Sequence, residues 1–209
     1  MRLTLRIVLI MLASSVLPVG PVFAAAMGAA DAGHLLNRAG FGARPADIVG
    51  FAKLARADAV ERLLANTAAV VPPPPAHLLE YQSPRMLRAQ DKEDRKREQR
   101  KRVIGLRAWW LATMLDAPTP AAQLRERMTL FWHNHFVSSL QKVRSTKLMV
   151  EQNQLLRRYA LGSFGELLHA VGKDPAMVVY LDSATNRKGS PNENFAREVM
   201  ELFTLGEGN

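Results

Sequence analysis

The chain has 209 residues, of which 48% are hydrophobic and 22% charged, an ordinary globular composition that excludes disorder or a collagen-like repeat as a description of the whole chain. It contains no cysteine, which excludes disulfide frameworks, thiolate catalysis, Cys-ligated zinc and a lipid anchor on an N-terminal cysteine. The formal charge of +9 raises the question of whether a nucleic acid or a membrane surface is the partner.

The first segment predicts a cleaved export signal. Two arginines precede a short apolar run, helix breakers follow it, and small residues would allow cleavage after Ala24 or Ala26. The run of about 13 apolar residues is shorter than the roughly 20 that a bilayer core requires, so it does not favour a membrane anchor. We therefore expect a Sec-type signal over residues 1–26, a mature domain over 27–209 with no transmembrane anchor, and a periplasmic or secreted protein.

The mature chain predicts a series of helices. The first begins near Asp31, a second covers 45–64, and the consecutive prolines at 72–75 predict an extended spacer. No segment alternates with a period of two for long enough to form a convincing strand, and no period of about 30 to 45 residues recurs. The predicted fold class is therefore all-α, an irregular multi-helix domain. Caps and breakers place further helix starts near Thr119, Lys142, Ser163, Asp174 and Ser190.

Most of the positive charge lies in one segment. Between Arg85 and Arg107 the chain has ten basic and four acidic residues, whereas the rest of the mature chain is nearly neutral. The sequence predicts one long helix of about thirty residues over 83–116, with a basic, exposed first half and an apolar second half that docks on the core. The candidates for binding an anionic partner are Lys96, Arg97, Arg100, Lys101 and Arg102.

Three interpretations of this basic helix remain open. It could be a solvated arm stabilised by acid-before-base pairs four residues apart, it could contact acidic polysaccharide or anionic lipid headgroups, or it could bind nucleic acid. Nucleic acid is the least favoured partner, because aromatic side chains lie outside the basic run and export would separate the protein from nucleic acid.

The segment 131–136 places His133 and His135 among aromatic residues. On a helix the two rings diverge by about 200°, so a single metal ion could bind both only if the helix ended near His133. If the helix continues, His135 shares a face with Phe131 and is expected to be a hydrogen-bonded core histidine. A metal site and a buried structural role are both open alternatives.

The last predicted helix begins at Ser190, where Ser190 and Glu193 match a capping box. On this helix Asn194, Glu198 and Glu201 fall on one face, at spacings of four and three residues. One amide oxygen and two carboxylates in line could ligate a divalent cation or act as a general acid and base. The alternative is a solvated polar face.

Three separated blocks occur at 34–42 (HLLNRAGFG), 125–136 (RERMTLFWHNHF) and 191–206 (PNENFAREVMELFTLG). In this order they resemble the bacterial domain of unknown function 1800 family. The resemblance implies an exported, largely helical protein without an established activity. It also implies that members continue past the third block, so we expect this chain to be the N-terminal part of a longer fold whose C-terminal half is missing.

Two functions are predicted. The first is an exported helical protein of unknown activity that forms part of a metal-assisted hydrolase. In it, His133, His135, Asn194 and Glu198 are candidate ligands of a divalent metal, and Glu198 and Glu201 are candidate catalytic residues. The alternative is a non-catalytic envelope protein that binds an acidic polysaccharide or a protein partner, and no nucleic acid, through the basic helix.

Overall fold

The computed structural model describes residues 25–65 and 73–206, and within these ranges the fold is all-α, as predicted. Residues 1–24 of the predicted signal lie outside the described residues. No helix in the described ranges has both the length and the apolar character needed to cross a bilayer. The helices are α1 (Gly28–Ala39), α2 (Pro45–Ala52), α3 (Arg56–Ala65), α4 (Ala76–Leu79), α5 (Pro84–Ala89), α6 (Lys92–Leu115), α7 (Pro120–His135), α8 (Leu140–Val143), α9 (Thr146–Tyr159), α10 (Phe164–Gly172), α11 (Pro175–Tyr180) and α12 (Asn194–Glu198), which is followed by a π-helix (Val199–Thr204).

Side-chain caps fix where several helices begin. Thr119, Ser163 and Asp174 accept hydrogen bonds from backbone N–H groups in the first turns of α7, α10 and α11. Pro120 and Pro175 are the first residues of α7 and α11, where a missing N–H leaves no helical hydrogen bond unmade. The helix starts predicted at these positions are confirmed.

The basic segment forms two helices, so the prediction of one continuous helix over 83–116 is wrong. The break lies at Gln90, which has an extended backbone with a ψ of 148°. The Asp91 carboxylate then caps α6 by accepting hydrogen bonds from the backbone N–H groups of Glu93 and Asp94. These hydrogen bonds hold the pKa of Asp91 below its ordinary value. The remaining helix, α6, is long, basic and partly exposed, as expected.

Two other predicted helices are also divided. The helix predicted from Pro45 is split into α2 and α3, because Ala55 forms an isolated backbone bridge to Ala26, which precedes α1. The helix predicted over 142–159 is preceded by a separate turn, α8, and begins only after Arg144, whose backbone is left-handed with a φ of 57°.

The final helix begins at Asn194 and not at Ser190. Ser190 forms an isolated bridge with Arg187, and Glu193 makes no side-chain cap, so the predicted capping box does not form. Instead, the Asn192 side-chain oxygen accepts a hydrogen bond of 2.8 Å from the backbone N–H of Asn194. An asparagine close to the helix therefore replaces the more distant serine.

Helix α7 connects two hydrophobic cores. On one side, Leu124 packs against the core formed by α1, α2 and α3, and on the other side Trp132 packs against the core formed around α9, α10 and α11. Because one helix contributes to both cores, its position sets the arrangement of the fold. The buried residues of the first core are Ala32, Leu36, Phe51, Ala59 and Leu63. Those of the second are Phe136, Leu156, Leu167, Val171, Met177, Leu181 and Phe203.

Candidate functional site

The two histidines of α7 face different neighbours. Helix α7 continues through His135, and residues two positions apart on a helix diverge by about 200°. The His133 ring packs on Trp110 of α6 with a centroid distance of 4.5 Å, whereas His135 Nε2 lies 3.0 Å from the backbone oxygen of Phe203. The condition for one ion to bind both rings, a helix that ends near His133, is not met.

His133 is held neutral by burial. Desolvation, with a smaller contribution from the positive charge of Arg157, lowers the pKa of His133 from 6.5 to about 4. Its Nε2 atom is buried and has no hydrogen-bond partner among the described residues. At neutral pH the side chain is therefore an uncharged imidazole packed on Trp110.

His135 is half-buried and within hydrogen-bond distance of a backbone oxygen, which fits the structural alternative. Its ring lies nearly parallel to Phe131 at a centroid distance of 6.3 Å and meets Phe136 edge-on at 4.7 Å. Its contact with the Phe203 oxygen connects α7 to the π-helix. The ring therefore contributes to packing and to the attachment of the last helical segment.

A buried ion pair beside His133 is missed by the sequence analysis. Glu126 of α7 and Arg157 of α9 have side chains that are only 3% and 6% exposed. Their paired N–O distances are 2.6 and 2.9 Å, the bidentate geometry of a strong charge-assisted contact. The only local signal is that Glu126 lies seven residues before His133, on the same face of α7.

Several buried hydrogen-bond donors on α6, α7 and α9 lack partners among the described residues. They are Arg157 Nη1, Arg125 Nε, Trp110 Nε1 and the amide nitrogen of Asn153, whose side-chain oxygen is also unpaired. Burial lowers the pKa of Arg125. With two arginines and one glutamate, the α6–α7–α9 interface is rich in donors and carries more positive than negative charge.

The candidate oxygen ligands of the final helix do not share one straight face. Asn194 and Glu198 belong to α12, but Glu201 lies in the π-helix, whose wider turn rotates its residues away from α-helical spacing. Glu201 is exposed, and Glu198 lies 3.8 Å from the guanidinium of Arg197. In the part of the chain that the structure describes, no three histidine or carboxylate side chains are grouped to hold a metal ion.

The first half of α6 presents an exposed basic surface. Lys96, Arg97, Arg100 and Lys101 are all exposed, and we call these four residues the basic patch. Lys96 and Arg97 each pair with an acidic residue three positions earlier, at N–O distances of 2.8 and 4.0 Å. Among the described residues, neither Arg100 nor Lys101 has an ion pair.

Arg102 lies on the buried side of α6 and forms ion pairs within the protein. Its side chain is 5% exposed, with Nη2 2.8 Å from Glu80 and Nε 3.0 Å from Glu98. One residue along a helix rotates the side chain by about 100°, which is why Arg102 is buried while Lys101 is not. The predicted set of anion-binding residues therefore narrows to the basic patch.

Comparison with known proteins identifies the family to which the chain belongs. The family described as protein of unknown function (DUF1800) matches residues 34–209, which is most of the chain. The chain belongs to the DUF1800 family. No curated protein and no solved structure matches it. The family description assigns no activity.

In this DUF1800 protein, α7 holds the three sequence blocks together. The guanidinium of Arg127, in the second block, lies 5.7 Å from the centre of the Phe41 ring, in the first block. The contact between His135 and the Phe203 oxygen joins the second block to the third. Contacts made by α7 therefore connect all three blocks.

Proposed function

We propose that this DUF1800 protein is an exported, non-catalytic binding protein that holds an anionic partner through the basic patch of α6. One contrast between neighbouring residues carries the proposal. Arg102 has two carboxylate partners within the protein, whereas Arg100 and Lys101 are exposed and have no ion pair within the described ranges. Cations that the fold does not use are available to a partner. The N-terminal pattern of residues 1–26 supports export.

Local ion pairs do not neutralise the basic patch. The side chains in the Lys96–Glu93 and Arg97–Asp94 pairs are 51% to 82% exposed. Exposed pairs of this kind contribute about 0–1 kcal/mol, so a sulfate, phosphate or carboxylate group of a partner can replace the acidic side chain at little cost. The planar guanidinium of Arg100 can also bind such a group through two parallel hydrogen bonds.

The tryptophans of α6 are not available to stack on bases. Trp109 is 6% exposed, and the ring of Trp110 packs on His133. Proteins that bind single-stranded nucleic acid use exposed aromatic rings next to their cations. The tryptophans of α6 do not provide such rings, which supports an acidic polymer or an acidic surface over a nucleic acid.

Retention on immobilised heparin tests this proposal. The patch variant loses three charges: Arg97→Gln, Arg100→Gln and Lys101→Gln. A matched control loses three exposed charges elsewhere: Arg38→Gln, Lys53→Gln and Arg158→Gln. We expect the patch variant to elute at a clearly lower salt concentration than the parent and the control to elute close to the parent, because salt competes with localised ion contacts. Equal shifts in both variants would show that only net charge matters and would contradict the proposal.

A metal-assisted hydrolase is a second proposal, supported by one observation on His133. Its buried Nε2 has no partner among the described residues and the ring is uncharged at neutral pH, which are the conditions under which an imidazole ligates a metal. Among the described residues Glu198 and Glu201 do not form a metal-holding group with His133, so they enter this proposal only as the candidate acid and base of the sequence pattern. Elemental analysis of the purified protein tests this. Stoichiometric metal that is lost in His133→Gln supports it, and folded, metal-free protein contradicts it.

A further inference from the structure

The exposed side of α6 continues past the basic patch as a strip of aliphatic side chains. Ile104, Leu111 and Leu115 are 66%, 52% and 58% exposed, and we call these three residues the apolar strip. Isolated exposed aliphatic residues are common, but several in line on one helix mark an interaction surface.

Helix geometry places the basic patch and the apolar strip on one face. Arg97, Arg100, Ile104, Leu111 and Leu115 follow one another at intervals of three, four, seven and four residues, the spacing of a single helical face. The opposite face carries the buried residues of α6: Arg102, Trp109 and Thr113. The outer face of α6 is therefore basic over its first half and apolar over its second half.

We propose that the outer face of α6 lies on an anionic lipid surface. The basic patch contacts the headgroups, and the apolar strip enters the boundary between headgroups and acyl chains. This inference rests on the proposed function and names its partner. Helices with these two properties lie in the plane of the interface with their apolar face immersed by about 5–10 Å. With 24 residues, α6 is long enough to make both contacts along its axis.

A lipid surface matches both halves of the helix, whereas other anionic partners match one. An acidic polysaccharide provides charges for the basic patch but no apolar phase for Ile104, Leu111 and Leu115. Removing these side chains from water is favourable in proportion to their apolar area, and acyl chains provide that environment. The exposed Arg107, which lies within the apolar strip between Ile104 and Leu111, can extend its charged end back to the headgroups. If the partner were instead an acidic protein with an apolar groove, the chain would not bind anionic lipid vesicles.

Co-sedimentation of the whole chain with lipid vesicles tests the inference. One vesicle preparation contains phosphatidylglycerol, and the other is pure phosphatidylcholine. Because residues 1–26 include an apolar run of their own, every variant is compared with the parent, and the neutral vesicles define the background. The strip variant is Ile104→Ser, Leu111→Ser and Leu115→Ser. Its control replaces three exposed aliphatic residues of α2 and α3: Val49→Ser, Val60→Ser and Leu64→Ser.

The variants have distinct expected results. The strip variant should bind phosphatidylglycerol vesicles at least about tenfold more weakly than the parent and should keep its retention on heparin. The patch variant should lose both its binding to phosphatidylglycerol vesicles and its retention on heparin. Its vesicle binding should be weaker by about 100-fold, because three charges are removed and each cation near an anionic surface strengthens binding about fivefold. The control should match the parent in both assays.

Two results would overturn the lipid inference and leave the proposed function intact. The first is a parent that is retained on heparin but binds anionic and neutral vesicles equally. The second is a strip variant that binds phosphatidylglycerol vesicles as well as the parent does. A parent that is retained by neither heparin nor anionic vesicles would overturn both proposals.

A fluorescent label reports directly on the position of the helix. Because the chain has no cysteine, Ile104→Cys provides a single site for an environment-sensitive dye, and Ala57→Cys on the exposed side of α3 provides the control. We expect a blue shift at position 104 with phosphatidylglycerol vesicles, no shift at position 57, and no shift at either position with heparin. A label at position 104 that stays in water while the protein sediments with vesicles would contradict the inference.

Discussion

The α7–α9 interface and the outer face of α6 both depend on arginine, but they use it in opposite ways. Arg157 is 6% exposed and pairs with Glu126 through two of its nitrogens, whereas Arg97 is 82% exposed and lies 4.0 Å from Asp94, which is itself 69% exposed. A guanidinium inside the protein must have its partner, because an uncompensated buried charge is costly. A guanidinium in water can exchange its partner at little cost. Burial therefore decides which arginines hold the fold and which remain available for binding.

The largest effect is expected from breaking the buried ion pair. Glu126→Gln leaves the charge of Arg157 buried without a counter-charge, and we expect the free energy of unfolding to fall by about 3–5 kcal/mol. Urea denaturation followed by circular dichroism measures it. The control Glu151→Gln breaks the partly exposed pair with Lys147, in which the side chains are 35% and 39% exposed, and should cost less than about 1 kcal/mol. An equal loss of unfolding free energy in the two variants would contradict the distinction between buried and exposed ion pairs.

The next largest effect concerns pH. Burial lowers the pKa of His133 to about 4, so between roughly pH 6.5 and 4 the unfolded chain binds a proton that the folded protein does not. The stability that this residue contributes is present above about pH 6.5 and is lost as the pH falls. His133→Phe keeps a ring on Trp110 and removes the titration, so between pH 7 and pH 4 the parent should lose about 2–3 kcal/mol more than the variant.

The comparison between parent and His133→Phe also removes the effect of Asp174. Burial raises the pKa of Asp174, which gives a pH dependence of opposite sign, but this contribution is the same in both proteins and cancels. The measurement is urea denaturation at several pH values. Parallel stability curves for the two proteins would show that His133 is not held neutral by the fold.

A smaller effect is expected at Arg102. Arg102→Gln removes contacts with Glu80 and Glu98, and since both partners are partly exposed to water, we expect a loss of about 1–3 kcal/mol. Thermal denaturation at fixed pH measures the difference. Loss of less than about 0.5 kcal/mol would place Arg102 with the freely solvated residues of α6.

The smallest effect on stability is expected at Lys101. Lys101→Gln removes an exposed charge without an ion pair among the described residues, so the free energy of unfolding should change by less than about 0.5 kcal/mol. The same thermal denaturation experiment measures it. A larger loss would mean that Lys101 supports the fold and is not reserved for a partner.

Local chemistry made much of the fold predictable. The starts of α7 and α11 follow from Thr119-Pro120 and Asp174-Pro175, where cap and first-turn residue are adjacent in sequence. The break after α8 could not be predicted in this way. It depends on the left-handed backbone of Arg144, and this conformation is usually indicated by a glycine, which is not present at this position. The break before α6 depends on Asp91. In the sequence, this residue can be either the cap of a new helix or an acidic residue inside one continuous basic helix.

The candidate site was predictable only where its residues are neighbours in sequence. The basic patch follows from a local cluster of charge, and helical spacing also pairs Arg102 with Glu98, four residues earlier. The second partner of Arg102, Glu80, lies 22 residues away, so spacing along α6 does not reveal that Arg102 is buried. Arg157 and Glu126 are separated by 31 residues, and their pairing arises from the packing of α7 on α9. Contacts between distant helices decide which charges are structural.

Two adjacent residues of α6 have different roles, Arg102 in the fold and Lys101 in binding an anionic partner, and one experiment on single variants tests this division. Lys101→Gln and Arg102→Gln remove the same charge at neighbouring positions, so their elution from heparin can be compared directly at a temperature at which both are folded. We predict that Lys101→Gln elutes at a lower salt concentration than the parent and that Arg102→Gln elutes with the parent, because only Lys101 is exposed. Equal elution shifts for the two variants would show that Lys101 and Arg102 do not differ in their availability to a partner.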